Sequence, residues 1–173
     1  MSSNGSRVVI GAQLNDATGS NAGKVRVFEF NSSTWVQIGN DLSGKAANDR
    51  FGYSVSLSSD GGRVAIGAYL NDGGGTDAGH VRVFEYISST WVQLGAEVDG
   101  EAAGDVSGYV SLSWDGNRMA IGARSNSAGG TDAGHVRIFD YDFLSSSWVQ
   151  MGVDINGDVV SGFSGQALSM SGD

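Results

Sequence analysis

Carboxylates and side-chain amides set among glycines are the residues of this 173-residue chain best suited to chemistry. Asn15 and Asp16, then Asn71, Asp72 and Asp77, then Asn126 and Asp132 fall in three polar stretches of similar composition. Carboxylate, amide and backbone oxygens on glycine-permitted turns form the donor set of a hard cation. Asp16, Asp72, Asp77 and Asp132 are therefore candidate ligands for calcium. The bland reading is that the same side chains close Asx turns on their own backbone. The third stretch also carries Ser127 where the others have Asp16 and Asp72, and none contains a spaced D-x-D-x-D-G string. Asp99, Glu101 and Asp105 occupy another polar stretch, and a carboxylate pair such as Asp99 and Glu101 has the groups for glycoside hydrolysis. Among so many loop acids that pairing has no specificity. No Ser-His-Asp or Cys-His arrangement, phosphate-cradling loop before a helix or His-rich cluster appears, so the expectation is a protein that is not an enzyme.

What must position these residues is a unit repeated about three times. Arg7-Val8-Val9-Ile10-Gly11-Ala12 returns as Arg63-Val64-Ala65-Ile66-Gly67-Ala68 and as Arg118-Met119-Ala120-Ile121-Gly122-Ala123. Trp35, Trp91 and Trp148 recur at spacings of 56 and 57 residues, each followed by Val-Gln. In the middle copy Tyr53 to Ser58 alternates with period two, Asp60-Gly61 is a hairpin signal, and Arg63 to Ala68 is a second strand. Asn71 to Gly79 reads as a loop, Val81 to Tyr86 as a third strand, and Trp91 to Leu94 as a fourth. Four short antiparallel strands repeated in tandem predict an all-β β-propeller of three four-stranded blades of about 56 residues. The blades are A over 1–40, with its first strand supplied by 165–173, B over 51–95 and C over 107–152.

The repetition demotes several eye-catching residues. His80 and His135 occupy one repeat position, where the first copy has Lys24, and read as residues that begin a strand. The three equivalent tryptophans read as packing between blades rather than as ligand stackers. Trp114, which replaces Ser59 in its hairpin, is expected to be a partly exposed aromatic.

Phe51-Gly52, followed by Ile66-Gly67-Ala68 and Gly79-His80-Val81-Arg82-Val83-Phe84, resembles the FG-GAP repeat of integrin alpha-subunit type propellers. The resemblance runs over essentially the whole chain. It departs from the family where a motif proline is replaced by Gln13, Tyr69 and Arg124. It departs again where the family's calcium loop between the first two strands is only the tight turn Ser59-Asp60-Gly61-Gly62. Calcium at that turn is not carried over. The resemblance implies an extracellular or cell-surface setting, although the first residues have no signal-peptide pattern.

Residues 1–7 align with 57–63, and 168–173 with 55–60. The C-terminal strand thus matches the one that blade A lacks, and sharing it would remove exposed edges. Propellers typically have about four to eight blades. A homodimer that exchanges these strands and closes a six-bladed ring is therefore expected; a fragment of a longer FG-GAP-like protein is the alternative.

Antiparallel order puts the one–two and three–four turns on a lower face and the longer two–three and four–one loops on an upper face. The upper loops hold Asp16, Asp41, Asp49, Asp72, Asp77, Glu97, Asp99, Glu101, Asp105, Asp132, Asp154 and Asp158, 12 of the 19 acids. With a net charge of −9, nucleic acid and anionic membrane surfaces are excluded as partners. No apolar run is long enough for membrane insertion by a helix. An acidic upper platform for a protein or glycan ligand is the expected function, with a propeller hydrolase or lyase using loop carboxylates as the rival.

Overall fold

A computed structural model describes residues 1–171. It is all-β, with thirteen strands: β1 (Arg7–Ala12), β2 (Lys24–Phe30), β3 (Trp35–Ser43), β4 (Ser54–Leu57), β5 (Arg63–Ala68), β6 (His80–Ile87), β7 (Thr90–Gln93), β8 (Val98–Asp99), β9 (Ser107–Leu112), β10 (Arg118–Ala123), β11 (His135–Asp142), β12 (Ser147–Gln150) and β13 (Ile155–Asn156). They form three antiparallel sheets in a propeller-like arrangement, with orders β1-β2-β3, β4-β5-β6-β7 and β9-β10-β11-β12.

Two details depart from four strands per unit. The second and third sheets carry a short fifth strand, β8 on β6 and β13 on β11. The chain turns at Gly95 and Gly152, both at positive φ, and comes back to the same neighbour. In the first sheet β3 does both jobs in one piece, with a register shift opposite Val25–Val27. That sheet has only three strands among the described residues. Residues 165–171 run beside β9, with Met170 N donating to Ser111 Oγ at 3.1 Å, and do not pair with β1. Gly172 and Asp173, which complete the expected terminal strand, lie outside the described residues. The described sheets do not close into a ring.

The hairpins follow their side chains. Asp60 Oδ1 accepts from Gly62 N at 2.8 Å and from Ser58 Oγ at 2.6 Å, which closes the β4–β5 turn over Gly61. Asn4 and Asp115 repeat the bond to the residue two positions on, at 2.9 Å each. Arg7, Arg63 and Arg118 pair with Glu29, Glu85 and Asp140 directly across the sheet. Arg7 and Arg63 also donate to the Gly61 and Gly116 carbonyls of the following turn.

Apolar residues alternate on β strands and so project to both faces, where successive sheets stack on one another. Val25, Val27, Leu42, Phe51, Val64, Ile66, Phe84 and Trp91 form one core between the first and second sheets. Val81, Val83, Val110, Leu112, Met119, Ile121 and Phe139 form the next between the second and third. Trp91 Nε1 donates to Ile38 O at 3.0 Å, and Trp148 Nε1 to Leu94 O at 2.9 Å, so both indoles do bridge adjacent sheets.

Candidate functional site

On the upper face each two–three loop runs beside the four–one loop that leaves the same sheet. Arg50 N and Phe51 N donate to Asn21 O and Ala22 O; Val106 N and Ser107 N to Asp77 O and Ala78 O; Phe163 N and Ser164 N to Asp132 O and Ala133 O. Parallel bridges Gly23–Phe51, Gly79–Ser107 and Gly134–Ser164 complete these short ladders. Backbone pairing thus shapes the loops.

The side chains expected to bind something here make local bonds. Asn15 Oδ1 accepts from Ala17 N, Asn71 Oδ1 from Gly73 N and Asn126 Oδ1 from Ala128 N, at 2.8–3.0 Å. Asp16 Oδ1 accepts from Asn21 N at 2.7 Å, and Asp72 Oδ1 from Asp77 N at 2.9 Å. In the third loop Ser127 Oγ takes the same role toward Asp132 N. Among the described residues, none of Asp16, Asp72, Asp77 and Asp132 belongs to a converging group of three or more histidine and carboxylate side chains.

Asp105 and Asp49, both buried, join neighbouring sheets. Asp49 Oδ2 accepts from Lys45 N and Ala46 N while its Oδ1 accepts from Asn71 Nδ2 at 3.0 Å. Asp105 Oδ2 accepts from Ala102 N and from Asn126 Nδ2 at 3.1 Å.

Asp99 and Glu101, two residues apart, diverge. Asp99 turns to the second sheet, with Oδ1 3.8 Å from His80 Nδ1. Glu101 turns to the third, with Oε2 3.8 Å from His135 Nδ1 and Oε1 3.6 Å from Arg137 Nη1. The two histidines do begin strands, β6 and β11, as their repetition indicates. They are also buried and have no hydrogen-bond partner on either ring nitrogen. Burial, assisted by Arg82, pushes the His80 imidazole down to about 4; burial and Arg137 push His135 in the same direction. Among the described residues, groups of three histidine and carboxylate side chains converge at His80, Glu97 and Asp99, and at Glu101, His135 and Asp154. The second group escapes sequence reasoning because its members come from two different repeats.

The lower face is less plain than its short turns suggest. A concavity of about 680 Å³ lies between the β4–β5 and β9–β10 hairpins, lined by Ser59, Asp60, Trp114, Asp115, Asn117 and Tyr141 among others. Trp114 is 58% exposed at its rim, while its carbonyl accepts from Ser59 N. At the opposite, upper ends of β4 and β5 stands a tyrosine cluster: Tyr53 lies 4.5 Å from Tyr69 and 5.3 Å from Tyr109, ring to ring, and the hydroxyls of Tyr53 and Tyr109 are 2.9 Å apart. Burial, then the Tyr53 hydroxyl, pushes the Tyr109 phenol up to about 12. The tyrosine at 53 and 109 recurs once, which was the available signal.

By sequence, none of the curated proteins matches this chain. By structure, a protein assigned as a 6-phosphogluconolactonase from Bacteroides uniformis aligns with a TM-score of 0.61 at 16% identity, over 91% of this chain and 39% of that one. Hydrazine synthase of Kuenenia stuttgartiensis aligns with a TM-score of 0.51 at 14% identity, over 91% and 36%. The β-propeller domain of the Trilobed protease from Pyrococcus furiosus gives 0.48 at 11% identity, over 88% and 40%. The chain thus spans about two fifths of these structures, and at such identities the likeness concerns fold alone. The FG-GAP repeat family matches residues 42–84, from the end of β3 to the middle of β6, so the chain carries an FG-GAP repeat across the junction of its first two sheets.

Proposed function

We propose that this chain is a non-catalytic binding module of β-propeller architecture, with its ligand site in the lower concavity rather than among the upper loop acids. The observation that carries this reading is Trp114: a large exposed aromatic beside a cleft of about 680 Å³, flanked by carboxylate, amide and hydroxyl groups. An aromatic face with hydrogen-bonding groups around it suits a glycan, whose C–H faces stack while its hydroxyls find partners. Asp16, Asp49, Asp72 and Asp105 of the upper face, by contrast, are engaged in loop closure and in contacts between sheets. The divergence of Asp99 and Glu101 weighs against the hydrolase alternative. The FG-GAP repeat supports an extracellular or cell-surface setting.

The assembly belongs to the same reading: two copies of three four-stranded blades, each about 56 residues, complete a six-bladed ring by exchanging terminal strands. The edge of β1, unpaired among the described residues, and the exposure of Ile10 and Leu14 beside it support this. The alternative, a piece of a longer repeat protein, is supported by the chain's two-fifths coverage of its structural neighbours. Light scattering separates them: a dimer supports the ring, and a monomer the piece.

The ligand is tested on a glycan array, followed by tryptophan-fluorescence titration of any hit. Binding by the wild type that is lost in Trp114→Ala, with the fold intact, is the expected result. Silence on every glycan, or binding that Trp114→Ala leaves unchanged, overturns the lower-cleft site.

A further inference from the structure

The first residues of β2, β6 and β11 are one repeat position seen three times: Lys24, His80 and His135. Each faces a carboxylate at an equivalent repeat position: Asp41 near the end of β3, Glu97 after β7 and Asp154 after β12. A third residue is set two positions after β3 or β8, Lys45 in the first sheet and Glu101 in the second, and reaches across to the next sheet.

The three places differ in how the negative charge is met. At the first, Lys24 Nζ lies 2.8 Å from Asp41 Oδ2. At the second, Lys45 crosses from the first sheet and ion-pairs with Glu97 beside His80. At the third the crossing residue is Glu101. A lysine therefore gives way to a second carboxylate, and among the described residues Arg137 is the one lysine or arginine within 4 Å, 3.6 Å from Glu101 Oε1.

What remains there is a ligand set. His135 is 0% exposed, neither ring nitrogen has a hydrogen-bond partner, and Nδ1 lies 3.8 Å from Glu101 Oε2 and 3.9 Å from Asp154 Oδ2. A buried imidazole left without a partner costs the desolvation of its polar atoms unless something not yet counted binds it. The carboxylates are oriented from behind: Gln150 Nε2 donates to Asp154 Oδ1 at 2.7 Å, leaving Oδ2 toward the histidine, and Arg137 holds the far oxygen of Glu101. Such outer partners are what fix metal ligands in place. Ligand atoms of a tetrahedral zinc site stand roughly 3.3 Å apart. The three atoms lie within 4.8 Å of one another, so the part-exposed carboxylates surround one ion by closing roughly half an ångström on the histidine and up to about 1.5 Å on each other.

We propose that Glu101, His135 and Asp154 bind one divalent transition-metal ion of the zinc or cobalt type at the junction of the second and third sheets. One nitrogen and two carboxylate oxygens favour such an ion over calcium, which takes six to eight oxygens. Water completes the coordination. The ion ties a loop of one sheet to the first strand residue of the next, where the neighbouring junction uses Lys45 and Glu97.

The test uses the whole chain, stripped with chelator and titrated with Zn²⁺ by calorimetry and with Co²⁺ by its visible absorption. One ion per chain and a raised melting temperature are expected. Glu101→Lys, which copies the Lys45 arrangement, is expected to weaken Zn²⁺ by at least about 100-fold while circular dichroism stays unchanged. Asp154→Asn serves should Glu101→Lys fail to fold. Lys45→Glu is expected to raise the stoichiometry from one ion to two. No Zn²⁺ uptake by the folded wild type, or equally tight binding by folded Glu101→Lys or Asp154→Asn, overturns the site. A stoichiometry unmoved by Lys45→Glu overturns the role assigned to the crossing residue.

Discussion

The carbonyl oxygen of Gly108 fills the space that a Cβ on Gly67 needs: the two atoms would stand 1.8 Å apart. Gly11 meets Gly52 O and Gly122 meets Gly165 O in the same way, at 2.0 Å each. The glycine of Ile-Gly-Ala and the glycine that follows Phe51 or its counterparts are two halves of one backbone contact between adjacent sheets.

Because that contact is backbone on backbone, no rotamer relieves it. Gly67→Ala is expected to lower stability by about 3 kcal/mol or more. Gly104→Ala, at φ +82 with nothing within 4 Å of the added carbon, is expected to cost about 1 kcal/mol from backbone strain alone. Urea unfolding of both variants checks the contrast, and equal losses contradict it.

Trp35 and Trp91 are equivalent in the repeat and unequal in the fold, 43% against 4% exposed. Trp91→Ala removes the indole packed over Gly39 and its bond to Ile38 O, and is expected to cost about 4 kcal/mol. Trp35→Ala is expected to cost about 1 kcal/mol or less if the chain is monomeric in the assay. Thermal melts of the two single variants measure the difference.

Asp49, 2% exposed, accepts three hydrogen bonds, one of them from Asn71 of the neighbouring sheet. Asp49→Ala strands two part-buried backbone amides and the buried Asn71 side chain, for an expected loss of about 3 kcal/mol. Asn71→Ala leaves the two loop amides capped and is expected to cost less. A double-mutant cycle read by urea unfolding tests whether the pair couples.

His80 sets a pH dependence. Its imidazole is neutral when folded because burial first, and Arg82 second, hold it at about 4, against an ordinary value of 6.5. The unfolded chain takes up a proton in the interval where the native chain does not. This contribution is therefore complete above pH 6.5 and is lost as pH falls toward 4, by on the order of 3 kcal/mol. Glu97, Asp49 and Lys45 also act on the ring, and Asp99 lies within 4 Å of it. Burial, then Glu97, raises the Asp99 carboxyl, which works in the opposite direction at acid pH. The measurement is accordingly the difference between wild type and His80→Gln across pH 7 to 4.5, with the variant showing the shallower decline.

Strands and hairpins were readable because their signals are local: period-two alternation around Val55, and Asp60-Gly61 closing its own turn through Ser58 and Gly62. The sheet-bridging role of Trp91 and Trp148 was readable because one position recurred in every copy. The junction of Glu101 with His135 was not, since it joins a loop of one repeat to the strand start of the next and its residues change identity from copy to copy. The loop acids show a different limit: composition gives how many carboxylates a loop has, but not that Asp16 Oδ1 and Asp72 Oδ1 each accept from an amide five residues on. Trp114 stood out by breaking the repeat, yet the concavity beside it arises from two hairpins far apart in sequence.

The parallel bridges at Gly23–Phe51, Gly79–Ser107 and Gly134–Ser164 carry a thermodynamic corollary. The first two each link a sheet to the segment that begins the next, and the third links the last sheet to the segment after it, so free energy is shared between nearest neighbours along a line. The middle sheet, stabilised from both sides, is the last to open, and the outer two unzip first. Hydrogen exchange then follows position along the chain: amides of β5 and β6 are the slowest, while the equivalent amides of β1 and β2 exchange through opening of one end. In the single chain, units of one repeat thus differ in stability by their place in the row.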